Sequence, residues 1–412
     1  MINFVDRVLD YLSGVSPSRN EILESKKSYP TLTKSPIVLE PKTTEMIKAH
    51  SIVGSIESYG RKTKYFQLVD WLKSNEMVIA NNAMNDSNHM KNHNIALRPT
   101  YPGAAMAIGP GCFGSLKSGD PVYVLGDTHG DFESLVAIFD TILGASAKRF
   151  DLKPTIYLLG DILDRNTESC LYEMLFILAI MQRILPADFS QYNNIQLGIV
   201  KGDHDIAMQY NESLKTFTSL VTPSDFVSWY SNRVNTSSNP AQASLIGFAW
   251  IKLMEECPAM AFLSDSGTFL SHGGVPRSDV QEAIKSGIPY AAQSENAADD
   301  AIWCRMVDVK NKMLNRGTKT SEIGFQEFDS FNKEVFFGQI KKFVFGHQHP
   351  SRGYLRFNKF FSGYDVLCIS SFRNDYAMSG PTIPYFCKIT RQDIHVYSLS
   401  PAAYVVKLEE HS

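Results

Sequence analysis

With 412 residues, 44% of them hydrophobic and 20% charged, the chain is long enough to bury a large core and has the composition of an ordinary globular protein. A formal net charge of -3 lacks the basic field of most nucleic-acid binders, so no nucleic-acid partner is expected. The six cysteines (Cys112, Cys170, Cys257, Cys304, Cys368 and Cys387) are scattered singly, with no C-x-x-C pair, which argues against a disulfide framework and for a reducing cytoplasm.

The first stretch, MINFVDRVLDYLSGV, predicts an amphipathic helix over 3–13, and Asp6 and Asp10 deny it the apolar run of a secretory signal. A Ser/Pro/Lys-rich loop follows, then helices near 43–58 and 64–84. NDSNHMKNHN (85–94) is a polar linker whose His89 and His93, four apart, could make half a metal site on a helix but read as solvated loop. Residues 1–95 are therefore expected to form a helical N-terminal extension, and 96–412 the main domain.

From residue 121, β-rich runs alternate with helical ones, the pattern of an α/β core. PVYVLGD precedes a helix in which Phe132, Leu135, Ile138, Phe139 and Ile142 recur at helical spacing, with Asp131 placed to cap it. TIYLLGD leads into ESCLYEMLFILAIMQRIL, whose longest apolar run, MLFILAIM (174–181), is too short to span a bilayer and reads as a buried helix. IQLGIVKGD is a third strand ending in Gly-Asp. Strands apolar throughout are covered on both faces, and α/β folds place ligands at the strand ends. Residues 206–258 read as a mostly helical insertion beside those ends; AMAFLSDSGTFLSHGG reads as a hairpin; KKFVFGHQHP and FSGYDVLCISSFRNDY read as strand then loop.

Asp127, Asp161, Asp164 and Asp203, with His129, His204, His272, His347 and His349, all fall in loops just after apolar strands. Any one alone is an ordinary cap or turn residue. Together, carboxylates beside imidazoles suit borderline divalent ions such as Mn, Fe or Zn, and one carboxylate can bridge two of them. A pair of ions so held clamps a phosphoryl group and generates a hydroxide nucleophile for in-line displacement.

GDTHGD (126–131), GDILDR (160–165), KGDHD (201–205), SHGG (271–274) and FGHQHP (345–350), in this order, resemble the calcineurin-like metallophosphoesterases. More narrowly they resemble the phosphoprotein phosphatase (PPP) family, with spellings of its bacterial and phage branch. The resemblance implies a four-layer α/β/β/α sandwich, here with the helical extension and insertion added. It assigns Asp127 and His129 to a first metal, Asp161 to the bridge, and Asp203, His272 and His347 to a second. His349 has no PPP counterpart but matches the G-H-x-H spelling of the wider superfamily, where the second His completes the first metal's shell; the alternative is a satisfied loop histidine. Manganese is the expected ion, with iron or zinc as alternatives.

In the same resemblance His204 is the general acid, oriented by Asp164, and Arg165 is a phosphate clamp. The second clamp is Arg305, in IWCR, or Arg316, in NRG, with Arg305 preferred; Tyr376 sits where the family has a tyrosine near the phosphate. Asp203 stands where the family has Asn, adding a negative charge, and Asn166 replaces the glycine after Asp-Arg, which puts the turn there in question. The implied activity is hydrolysis of phosphoserine, phosphothreonine or phosphotyrosine in a phosphoprotein. The alternatives are a nucleotide or dinucleotide polyphosphate hydrolase and an inactive binding module on the same fold. The extension and insertion are expected to recognise a protein partner, as in a bacterial effector phosphatase delivered into a host-cell cytosol.

Overall fold

The computed structural model describes residues 41–85, 112–114, 122–146, 154–263, 265–277, 295–311, 322–336, 338–350, 353–373 and 384–399. The sequence-predicted helix over 3–13, most of the 85–94 linker, Arg316 and Tyr376 lie outside the described residues.

Three parallel strands, β2 (Val122–Leu125), β3 (Thr155–Leu158) and β4 (Gln196–Ile199), form one side of a five-stranded sheet, with Val122 opposite Thr155 and Thr155 opposite Gln196. β14 (Tyr385–Ile389) joins β2 antiparallel, and β15 (Ile394–Ser398) completes the edge. The second sheet runs β1 (Cys112–Gly114), β7 (Met260–Leu263), β8 (Thr268–Ser271), β11 (Lys342–Phe345), β13 (Asp365–Ile369) and β12 (Tyr354–Arg356) in spatial order. β7 and β8 are the predicted hairpin.

The strands are apolar throughout because each side feeds a different core. Val122, Val124 and Tyr157 face Leu263, Leu270, Val344 and Leu367 of the other sheet, and this is the layer between the sheets. The alternate residues Tyr123, Leu125, Ile156 and Leu158 pack outward against helices, as do Phe343 and Phe345 on the far side. The result is the four-layer α/β/β/α arrangement.

Each parallel strand runs on into a helix: α2 (Phe132–Ser146), α3 (Thr167–Gln182) and the short α4 (Asp203–Ala207). Asp131 caps α2, its Oδ1 accepting from Ser134 N at 3.3 Å. α3 is buried from Cys170 through Met181, which accounts for its apolar run. Among the described residues no single helix is long and apolar enough to cross a membrane. Cys170, Cys257, Cys304, Cys368 and Cys387 are all buried.

α1 (Pro41–Asn85) is one continuous helix where the sequence predicts two. Its Leu68, Leu72, Ile79 and Ala83, spaced so as to share one face, are buried in the same core as α3 and α7 (Leu245–Glu256). Arg233 Nη2 donates to both carboxylate oxygens of Glu76, at 2.9 and 2.6 Å, and ties α1 to α5 (Asp225–Thr236). That packing outweighs the roughly 1 kcal/mol that a helical glycine such as Gly60 costs.

The insertion departs from expectation at its start, where β5 (Met208–Asn211) and β6 (Thr216–Ser219) form a hairpin rather than helix. Asn211 sets its turn, the side-chain oxygen accepting from Ser213 N and Leu214 N at 3.0 Å each, while Thr216 and Thr218 bring β-branched side chains to the return strand. Helices α5 and α7 follow as the sequence predicts, with the short α6 (Pro240–Ala243) between them in the stretch VNTSSNPAQAS, which the sequence reads as a break in the helical pattern.

Candidate metal centre and acid pair

The two sheets meet at their strand ends. Asp127, just beyond β2, forms an isolated parallel bridge with Ser370, just beyond β13, and Ser371 N donates to Asp127 O at 2.9 Å. Only glycine permits this approach, since a Cβ on Gly126 would lie 1.9 Å from Ile369 O. Gly160, at φ 91, makes the equivalent turn after β3 and passes Gly202 closely. His129, Asp161, Asp164, Arg165, His347 and His349 also have left-handed φ, between 43 and 75. Non-glycine residues rarely adopt it, and clusters of them mark sites where geometry is imposed by the surroundings.

Those loops bring together two groups of ligand atoms, each within a 4.8 Å span: Asp127, His129, Asp161 and His349, and Asp161, Asp203, His272 and His347. Asp161 belongs to both. His129 Nδ1–H donates to Leu163 O at 2.7 Å and His272 Nδ1–H to Leu159 O at 2.7 Å, so each ring presents Nε2 to the carboxylates. His272 Nε2 lies 3.0 Å from Asp203 Oδ1 and 3.3 Å from Asp161 Oδ1, and His129 Nε2 lies 3.6 Å from Asp161 Oδ2. His347 Nδ1 is 3.2 Å from Asp203 Oδ1, and His349 Nε2 is 2.6 Å from Asp127 Oδ2.

Burial raises a carboxyl's pKa, yet Asp127 and Asp203 are held well below the usual carboxylate range. For Asp127 the opposing charges are His349, His272 and His129; for Asp203 they are His272 and His347. Asp127 Oδ2 and His347 Nε2 are buried without a well-aligned hydrogen-bond partner. Buried carboxylates facing imidazole nitrogens, with ligand-competent atoms left over, fit a pair of divalent cations.

His204, second residue of α4, is seated beside the shared carboxylate. Its backbone N donates to Asp161 Oδ1 at 3.0 Å, and its ring Nδ1 lies 2.6 Å from Asp164 Oδ2. Asp164 is fully buried, and its other oxygen accepts from Phe226 N at 3.1 Å. Burial pushes the His204 imidazolium down, but the charge of Asp161 and the Asp164 hydrogen bond together raise it to about 9. Neutral pH therefore leaves the ring protonated.

Arg165 borders the first group: its Nη2 is 3.0 Å from His349 Nδ1 and its guanidinium lies over the Phe372 ring, 5.0 Å from the centroid. Arg305 occupies β9 (Arg305–Met306), next to the His272 loop. Gly273 N donates to Ala301 O at 2.7 Å, and Gln348 Nε2 to Met306 O at 2.6 Å. Asn166 needs no glycine, because its φ of -118 is ordinary and the left-handed positions are Asp164 and Arg165 before it.

Some contributing residues were not singled out from sequence. Asp205 Oδ1 accepts from Ile162 N and Leu163 N, at 3.0 and 3.1 Å, and so ties the KGDHD turn to the GDILDR loop. Its place two residues after Asp203 was the available signal. Glu173 is buried on α3 beneath Thr128 and Gly130, and desolvation pushes it well above the usual glutamate value. Phe372 and Arg373, in SSFRNDY, carried no signal beyond following a strand.

Carboxylates and imidazoles grouped about a shared aspartate, at the ends of two stacked sheets, define a metal-dependent phosphoesterase. The chain belongs to the calcineurin-like phosphoesterase family, whose profile matches residues 120–368. Among solved structures, a serine/threonine phosphatase from Saccharomyces cerevisiae shares 13% identity at a TM-score of 0.47, covering 78% of this chain and 89% of its own. A cold-active protein-tyrosine phosphatase of a psychrophilic Shewanella shares 13% at 0.38, covering 68% and 80%. At that level neither similarity bears on the substrate. Comparison with curated proteins finds no match.

Proposed function

We propose that the protein is a two-metal phosphoprotein phosphatase, hydrolysing phosphomonoesters of serine, threonine or tyrosine. Asp127, His129, Asp161 and His349 would hold one divalent ion and Asp161, Asp203, His272 and His347 the other, manganese being our choice. Such ions supply Lewis acidity to the phosphoryl oxygens and an activated water.

The remaining chemistry belongs to side chains. His204 Nε2 donates its proton to the leaving oxygen, while Asp164 fixes the opposite nitrogen and stabilises the charged ring. Arg165 binds phosphoryl oxygens through its planar fork, and Arg305 is the second clamp in this reading.

The observation that carries the proposal is the 2.6 Å His204–Asp164 contact, with Arg165 bordering the adjoining group. An alkyl phosphomonoester needs both a proton for a poor leaving group and positive partners for its oxygens. The test is metal analysis together with a panel of phosphoserine, phosphothreonine and phosphotyrosine peptides run beside dinucleotide polyphosphates. Bound divalent metal and phosphate release from the peptides are expected; preferential cleavage of the dinucleotides would overturn the protein-phosphatase reading.

A further inference from the structure

The four residues after β13 lock onto the loop that carries the first ligand group. Ser370 bridges Asp127. Ser371 Oγ accepts from Gly126 N at 3.0 Å, and its backbone N reaches Asp127 O. Arg373 donates from backbone N, Nε and Nη2 to Asp131, at 2.8, 3.0 and 2.7 Å, and from Nη2 to Glu133 at 2.8 Å. Phe372 is therefore anchored on both sides before its own contacts are considered.

Its ring, 3% exposed, faces the site. It meets His129 and His349 edge-on, at centroid distances of 5.0 and 5.3 Å and interplanar angles of 88° and 86°. It also forms the surface on which the Arg165 guanidinium rests, at 5.0 Å. Asp127, Asp161, Asp164 and Asp203 attract Arg165 by charge without setting the plane of its fork. Its Nε is buried without a hydrogen-bond partner, and Nη2 reaches His349 Nδ1.

We propose that Phe372 is a positioning residue for Arg165: the ring, held by Ser371 and Arg373, sets the plane and direction of the guanidinium so that its fork is pre-aimed at a phosphoryl group held beside the two ligand groups. The proposal rests on Arg165 being the phosphate clamp. An aromatic face suits the task because the ring quadrupole attracts the guanidinium, while the flat contact leaves its edge N–H groups free to donate. An aliphatic side chain in the same place would fill the space without orienting the plane.

The test measures inorganic phosphate binding to the metal-loaded protein by calorimetry and by product inhibition, in wild type, Phe372→Leu, Phe372→Tyr, Arg165→Ala and the Phe372→Leu/Arg165→Ala double variant. Metal content and thermal midpoint are followed in each. Phe372→Leu should weaken phosphate binding roughly five- to thirtyfold, the range of a desolvated cation–π contact, with metal content retained. Phe372→Tyr should restore it. The double variant should bind no worse than Arg165→Ala, since the ring acts through the guanidinium.

Additive losses in the double variant, unchanged binding in Phe372→Leu, or loss of metal as the primary defect would each overturn the proposal, the last because it would show that the ring supports His129 and His349 instead. If Arg165→Ala itself binds phosphate normally, it is the clamp assignment that fails. Should Phe372→Leu not fold, Phe372→Tyr against Phe372→Met makes the same comparison of aromatic with aliphatic.

Discussion

Replacing Asp164 by Asn removes the charge facing His204 Nδ1 while keeping the shape of the side chain. One amide face must still accept from Phe226 N, which turns the NH2 toward Nδ1 and opposes a donor with a donor. Without the carboxylate the imidazolium loses the hydrogen bond and charge of Asp164, while Asp161 and Asp203 remain, so its value falls from about 9 toward the ordinary one, with a complete return as the largest possible effect. A fall to the ordinary value of about 6.5 corresponds to about 3 kcal/mol of lost preference for the charged ring. At pH 7.5 the protonated fraction then drops from roughly 97% to roughly 9%.

Loss of an oriented, charged proton donor should lower kcat on an alkyl phosphate about 10²-fold, inside the usual range of general-acid contributions. A phenyl phosphate, whose leaving group has a pKa near 10, needs the proton less and should lose under about tenfold. The assay is kcat on both esters with metal loading verified, alongside NMR titration of His204 in the metal-free protein. Because the folded value is raised, the stability contributed by the charged pair is fully present below about 6.5 and lost as pH rises through about 9. Metal-free wild type should therefore lose stability across that window, and Asp164→Asn should lose less. Equal losses on the two esters, or an unmoved His204 titration, would refute the reasoning.

Asp203→Asn should reduce divalent-metal affinity, because His272 and His347 then face a neutral amide; unchanged metal content after dialysis and an unchanged pH–rate profile would show that the extra charge is immaterial. Gly126→Ala would place a methyl 1.9 Å from Ile369 O, a clash between backbones that cannot be relieved by a rotamer, and should cost about 3 kcal/mol or more in denaturant unfolding. A loss under about 1 kcal/mol would mean that the strand ends can part. Glu173→Gln should stabilise the protein at neutral pH: burial keeps Glu173 protonated when folded, so ionisation in the unfolded chain erodes stability as pH rises above the ordinary glutamate value. Identical pH dependence of the thermal midpoint in the two proteins would contradict that account.

Much of the site could be read from the chain because its ligands are local features of regular elements. Asp127, Asp161 and Asp203 each end a strand or open the helix after it, and the alternation of apolar runs with Gly-Asp turns gave both the α/β class and the end of the sheet where chemistry would sit. Local pattern was less informative in three places. Met208–Ser219 reads as part of a helical insertion, yet its pairing and the Asn211 turn make it a hairpin. The two helices expected near 43–58 and 64–84 are one, held by the buried stripe Leu68–Leu72–Ile79–Ala83. Phe372 and Arg373 have no periodicity or motif to betray them.

What the sequence determined by itself was the alternation of strand and helix from residue 121 to the third Gly-Asp turn, and the residue types able to bind cations, because hydrophobic period and turn chemistry act over a few residues. What only the tertiary structure decided was which of those residues meet. Asp161 is shared between two groups, His204 is charged by Asp161 and Asp164, and Arg165 lies on a ring more than two hundred positions away, because two sheets converge at Gly126 and Ile369. Close packing between distant segments fixed those partners, and no short-range pattern encodes it.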